Sequence, residues 1–387
     1  MPVRFRTYRY MPPSSIAFLL IVVVSTIAAA PEDLSKSLEP IRATHKVPAL
    51  AAAVIQGTNI IASGAVGLRR SDGKIPVTLD DKFHWGSLTK SMTATLAAML
   101  VDAGTIRWRS TLDEVFPDLK ETMHADWHGT SIESLLQNRG GAPANLDANG
   151  LWSRMWKFNG KPADHRLFLL KELTAKPPAQ KPSSTNVYSN AGYSLAGAMI
   201  ERAAGIPWET AIQDQLFKPL KMTSIGFGAP ATLGKEDQPW GHTPSLLGYK
   251  PVPPGPLADN PEGISPAGRA HGSILDLAKY AAFHLSGARG KGVLLKPDTF
   301  KRLHTRGPNQ DYAMGWMILP RPWGKGDVLT HSGSNTMFYA VIWIAPERDF
   351  AVVVATNAGG EAAARACDNV ASTLIQLHLA PLATSKK

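Results

Sequence analysis

The chain has 387 residues, 44% hydrophobic and 19% charged, which is the balance of a folded globular protein with a large core and excludes a solvated, disordered one. Its formal charge of +10 is scattered; clusters such as Arg69-Arg70 and Lys386-Lys387 are too small to build a nucleic-acid face, so no nucleic-acid partner is expected. The one cysteine, Cys367, cannot close an intrachain disulfide and reads as a small buried hydrophobe.

Arg4, Arg6 and Arg9 precede an apolar run over 16–30 that closes on Ala28-Ala29-Ala30, the layout of an export signal. The run is shorter than the ~20 residues a membrane span needs. Residues 1–30 are therefore expected to be a signal peptide and the protein to be exported, periplasmic or secreted. A membrane partner is expected only if that segment stays uncleaved.

Two apolar runs, 47–56 and 59–67, are split by Gly57-Thr58 as in an antiparallel hairpin. Helical periodicity follows over 87–103, 131–138, 162–173, 191–204, 208–215 and 274–285. The stretch 239–266, rich in proline and glycine, is expected to be an irregular surface loop at the rim of a cleft. Strand character returns over 328–331, 337–345 and 350–357, and a final helix covers 361–379. Strands at both ends with helices between imply an α/β (α+β) fold: an antiparallel sheet made by the two terminal segments, flanking helices, and an inserted, mostly helical lobe. One domain is expected over 31–387, with a sheet lobe at about 31–83 and 300–387 and a helical lobe at about 84–299.

Ser87-Leu88-Thr89-Lys90 places a hydroxyl and an amine three residues apart where a loop becomes a helix. At that spacing both side chains share one face, so Lys90 can polarise Ser87 for attack on a carbonyl. A second Ser-x-x-Lys, Ser71-Asp72-Gly73-Lys74, contains an Asp-Gly turn signal and belongs on an exposed loop with nothing to desolvate its lysine. Further on, Tyr188-Ser189-Asn190 sets a phenol and a carboxamide two residues apart, one suited to moving protons and the other to holding a substrate amide. His331-Ser332-Gly333-Ser334 ends a strand, where Gly333 would let a substrate backbone lie close. His124 and His128 have metal-like spacing without a helical glutamate or a third ligand, so no metal is expected. No Gly-x-Ser-x-Gly elbow is present.

Ser-x-x-Lys on a helix start, Tyr-x-Asn on a loop, then a basic residue with x-Gly on a late strand is the order of penicillin-recognising serine hydrolases. The chain resembles the class C β-lactamase family in its broad sense, with its penicillin-binding-protein-like, D-alanyl-D-alanine carboxypeptidase, D-aminopeptidase and esterase branches. The likeness spans about 34–379. It is carried also by Tyr188-Ser189-Asn190-Ala191-Gly192-Tyr193, by Pro219-Leu220-Lys221-Met222, by Pro266-Ala267-Gly268 with Ser273-Ile274-Leu275-Asp276, and by Met314-Gly315-Trp316.

The resemblance implies a β-lactamase-like fold and an exported serine hydrolase, free of metal and organic cofactor, that forms an acyl-enzyme on a small-molecule ester or peptide. Ser87 would be the nucleophile, Lys90 its proton acceptor and Tyr188 an acid or base. Asn190 would hold the substrate amide, His331 would stand where many members carry lysine, and the backbone N–H groups of Ser87 and Ser334 would form the oxyanion hole. Two departures bear on the activity. His331 removes a permanent positive charge opposite a β-lactam carboxylate, which favours an esterase or D-peptidase over a true β-lactamase. The family segment L-L-x-H-T-S-G reads here Leu135-Leu136-Gln137-Asn138-Arg139-Gly140-Gly141, in which Arg139 either reaches a substrate carboxylate or braces the loop. The rival from another class is a catalytically silent protein that binds cell-wall peptide or a protein partner.

Overall fold

Seven strands make the main sheet, in the spatial order Glu32–Asp33, Asn59–Gly67, Ala49–Gln56, Phe350–Thr356, Tyr339–Ala345, Gly326–Ser334 and Met317–Arg321. The computed structural model describes residues 30–147, 150–246 and 248–379; the rest of the expected export signal, residues 1–29, lies outside the described residues. The two ends of the chain meet in the middle of the sheet, where Ala49–Gln56 pairs antiparallel with Phe350–Thr356. All neighbouring pairs are antiparallel except the short edge strand Glu32–Asp33, which runs parallel to its partner. The sheet is therefore mixed at one edge, and gains at the other the strand Met317–Arg321, which the sequence pattern did not show.

Both faces of the sheet are covered, which is why its central strands read as apolar runs rather than as alternations. Leu50, Ala52 and Val54 face the amphipathic C-terminal helix Glu361–His378, whose stripe Ala363, Ala366, Cys367, Val370 and Leu374 is buried. Ala49, Ala51, Ala53 and Ile55 face the opposite way, into the large core shared with helix Ile274–Ala288. Burial pushes the Cys367 thiol well above its ordinary pKa, so it is an inert hydrophobe of that first interface.

Two expectations for the middle of the chain need correction. Residues 239–266 are not an irregular surface loop: Gly241–Ser245 and Gly248–Val252 form a hairpin, and His242, Asp259 and Ser265 beyond or within it are buried. Polar side chains there find partners inside the protein, a tertiary effect that composition does not carry. The helix expected over 208–215 stops at Ile212 and continues as a wider π turn, Gln213–Phe217, which turns Leu216 and Phe217 into the core.

A three-stranded antiparallel sheet, Lys82–His84 beside Ala270–Ser273 beside Gly226–Phe227, leads directly into Ser87. The helix after it, Thr89–Asp102, is buried at every position from Thr89 to Leu100. Such a helix has no solvent face. Its small residues admit close neighbours; a Cβ on Gly315 would lie 2.4 Å from the Ser91 Cα.

Candidate active site

Ser87 sits half-buried in a single 3-10 turn, Gly86–Leu88, at the mouth of the buried helix. Gly86 takes φ +51, and a Cβ there would stand 2.3 Å from the Ser334 amide nitrogen. Gly333 makes the reciprocal approach, since its Cβ would lie 2.0 Å from the Trp85 carbonyl and 2.6 Å from the Ser87 nitrogen. The turn and the strand end thus press backbone to backbone, which brings the Ser87 and Ser334 amides side by side. Gly333 was expected to admit a substrate backbone; the space of its missing Cβ is taken by the nucleophile turn.

Lys90 emerges from the same helix into the protein interior, with no part of it exposed. Its amine lies 3.0 Å from Ser87 Oγ, 2.6 Å from Asn190 Oδ1 and 2.9 Å from the Ala267 carbonyl oxygen. Burial drives the Lys90 pKa well below its ordinary value, and among the described residues no carboxylate pairs with it to oppose that. A neutral amine has two N–H bonds and one lone pair. Asn190 Oδ1 and the Ala267 carbonyl can only accept, so they take the two hydrogens, and the lone pair is left facing the Ser87 hydroxyl.

Asn190 was expected on an irregular turn holding substrate. It is the first residue of helix Asn190–Ala204, capped by Ser189, whose Oγ accepts from the Gly192 N–H at 3.1 Å. Its carboxamide oxygen is committed to Lys90, which leaves the NH2 end as the part that can meet a substrate.

Tyr188 is held from both sides by Asn138, whose carbonyl accepts from the Val187 N–H at 2.8 Å and whose Oδ1 accepts from the Ser189 N–H at 3.2 Å. The departure at Asn138 thus anchors the Tyr188 loop. Arg139 braces the same region, donating to the Pro308 carbonyl at 3.0 Å and to the Ser183 carbonyl. Tyr188 is 42% exposed as a residue, yet its phenol end is enclosed: burial raises its pKa, while a hydrogen bond with Ser87 works to lower it. The Lys90 amine lies 4.6 Å from the centre of the Tyr188 ring. Ser87, Lys90 and Tyr188 therefore converge.

His331 and Tyr312 close the other side. The His331 Nδ1 lies 2.5 Å from the Ser332 carbonyl, so Nδ1 carries the hydrogen, and the Nε2 lone pair points at the Tyr312 hydroxyl 3.4 Å away. Burial, helped by the nearby Lys90, lowers the His331 pKa to about 4. At neutral pH the residue is an uncharged acceptor. Tyr312 also lies 3.3 Å from Tyr193, whose hydroxyl donates to the Leu136 carbonyl at 2.5 Å. Tyr188, Tyr312, His331 and Ser332 line a cavity of about 440 Å³ together with Asn186, Gln310, Asp311 and Met317. Another hollow, about 180 Å³ beside Trp127 and Leu151, holds no such grouping.

Behind the nucleophile stands a buried polar network that the sequence reading missed. The Gly86 N–H donates to His84 Nδ1 at 3.0 Å, which places the hydrogen on Nε2, 2.9 Å from Asp259 Oδ1 though off the axis of a good hydrogen bond. Asp259 also takes Arg269 at 3.1 Å and Asn335 at 3.3 Å, and Asn335 Oδ1 accepts from the Phe338 N–H at 3.0 Å. One carboxylate thereby ties the turn before Ser87 to the segment after Ser334. The only sequence signal was a polar residue, His84, inside an apolar approach to Ser87.

The profile of the Beta-lactamase family matches residues 34–376. The chain belongs to the Beta-lactamase family. Its members are serine hydrolases, and the fold is shared with several solved structures. These include an octameric penicillin-binding protein homologue from Pyrococcus abyssi, with TM-score 0.72, 22% identity and coverage of 89% of this chain and 76% of that one. SurE gives TM-score 0.73 and 23% identity over 89% of this chain and 75% of that one. Among relatives by sequence, the unguisins hydrolase ungD' of Aspergillus campestris is 28% identical over 351 residues, covering 86% of this chain. The match spans 61% of that relative's length. Penicillin-binding protein 4 of Amycolatopsis lactamdurans is 26% identical, covering 83% of this chain and 84% of its own. Beta-lactamase of Escherichia coli is 25% identical over 70% of this chain and 67% of its own. Within the Beta-lactamase family, this member combines Ser87, Lys90 and Tyr188 with a neutral histidine.

Proposed function

We propose that the protein forms an acyl-enzyme on Ser87 and hydrolyses a short ester or a D-amino-acid peptide. The observation that carries this is the buried Lys90 amine 3.0 Å from Ser87 Oγ, its pKa driven well below the ordinary lysine value by burial. Lys90 takes the Ser87 proton as Oγ attacks the substrate carbonyl. The N–H groups of Ser87 and Ser334 receive the developing oxyanion, where one fixed donor contributes ~3 kcal/mol to the transition state. Tyr188 passes the proton to the leaving group and then activates the deacylating water. The Asn190 NH2 group holds the substrate, and His331 lines the cavity as an uncharged side chain.

An uncharged His331 supplies no cation to a β-lactam carboxylate, which favours esters and D-peptides over β-lactams. A silent binding cleft has no use for a buried lysine beside a serine, one that no carboxylate pairs with among the described residues, since that burial is costly. The arginine-led apolar stretch over 1–30 supports export, to the periplasm or beyond.

Treatment with a fluorophosphonate followed by intact-mass analysis tests the proposal. One adduct on Ser87, lost in Ser87→Ala, is the expected result; a folded protein that takes no adduct would overturn it. On a substrate panel, nitrophenyl esters are expected to turn over fastest, D-Ala-D-Ala peptides next and a cephalosporin slowest.

A further inference from the structure

The cleft and the chain carry opposite charge. The sequence has a formal charge of +10, yet of the residues lining the 440 Å³ cavity only Asp311 is charged at neutral pH. His331, with a pKa lowered to about 4, is uncharged there, and Lys90 lies outside the lining, its pKa driven down by burial. Arg139 stands outside the lining with its guanidinium committed to the Pro308 and Ser183 carbonyls. Arg306 comes within 3.9 Å of Asp311, but it donates at 2.7 Å to Asp327 and at 3.0 Å to the Ile318 carbonyl. Two carboxylates share that one cation, so Asp311 is only weakly paired. Asp311 keeps 60% of its side chain in contact with solvent, where an entering molecule meets it.

We propose that the cleft selects esters or amides bearing a free ammonium group over those bearing a carboxylate, with Asp311 making the choice. The inference rests on the acyl-transfer reading of the same site. A carboxylate on the wall of the cavity it shares with Tyr188, Tyr312 and His331 concentrates cations and repels anions. Because Asp311 is solvent-exposed, the preference weakens as salt screens it.

Three para-nitrophenyl esters of matched length test this: aminohexanoate, heptanoate and the half-ester of pimelate, which differ only in terminal charge. At low salt kcat/KM is expected to fall in that order, by about tenfold from the cation to the anion, and the spread should shrink with added sodium chloride. In Asp311→Asn the ratio of aminohexanoate to heptanoate kcat/KM is expected to drop about fivefold. Equal rates for the three esters, a preference for pimelate, or an unchanged ratio in Asp311→Asn overturns the inference while heptanoate turnover leaves acyl transfer standing. No turnover of heptanoate, together with no fluorophosphonate adduct, overturns both. If Asp311→Asn does not fold, the wild-type series and its salt dependence decide.

Discussion

The Asn190 carboxamide oxygen lies 2.6 Å from the Lys90 amine, closer than Ser87 does, and it is neutral. A carboxylate in its place would favour the ammonium form of Lys90, whereas the amide accepts a hydrogen without doing so. Asn190→Asp is therefore expected to raise the Lys90 pKa and to move the acid limb of the pH–rate profile upward by about one to three units. Profiles of kcat/KM against pH for both forms check this. An unmoved limb would show that Lys90 does not set it.

For the wild-type protein the sign is fixed by which form works. The active amine is neutral, so the rate rises with pH through the lowered Lys90 pKa, well below the ordinary lysine value of 10.5. Protonation of His331 belongs near pH 4, on the acid side of that range. Lys90→Arg, which keeps a permanent charge, is expected to lose about a thousandfold in kcat/KM.

Gly333→Ala sets a methyl group against the Trp85 carbonyl and the Ser87 nitrogen. A displacement of about an ångström in the reacting groups costs on the order of a hundredfold. The loss is expected in kcat, with KM changed little, because the substituted face meets the nucleophile turn. A rise in KM alone would return Gly333 to the substrate side.

Asp259→Asn removes the charge that His84 and Arg269 share. Burial opposes the Asp259 carboxylate, but His84 and Arg269 outweigh it and hold its pKa below the ordinary 3.8. The stability this group contributes is complete above pH 3.8 and fades as pH falls through the lower native value. The variant is expected to be ~3 kcal/mol less stable at neutral pH, with the difference narrowing in acid. Urea unfolding at pH 7 and pH 3 measures it.

Arg166 is enclosed between Glu201 and Glu209, donating to the first at 2.9 Å and to the second at 2.7 Å. Arg166→Met leaves two carboxylates facing each other without their cation and is expected to cost ~3–5 kcal/mol. A change in unfolding free energy below ~1 kcal/mol would show that the carboxylates relax to water.

What the sequence disclosed and what it hid divide along a physical line. The strands 49–56 and 350–356 were legible because a sheet buried on both faces needs continuous apolar runs, and Ser87 with Lys90 because a helix fixes the spacing of its side chains. Asp259, Tyr312 and the Ala267 carbonyl were not legible. Each reaches the site across a large gap in sequence, through contacts that have no local pattern. Asn190 and Gly333 were noticed without their neighbours Lys90 and the Ser87 turn, since the sequence shows that a carboxamide or a missing Cβ is present and not which group occupies the space beside it.

The most direct test of the central claim, that Lys90 is a neutral base poised on Ser87, is the pH dependence of the rate at which a fluorophosphonate modifies Ser87, followed by mass. The expected curve reaches its half-height well below the ordinary lysine value of 10.5 and collapses in Lys90→Arg. A half-height near 10.5, or a curve that Lys90→Arg leaves intact, would contradict it.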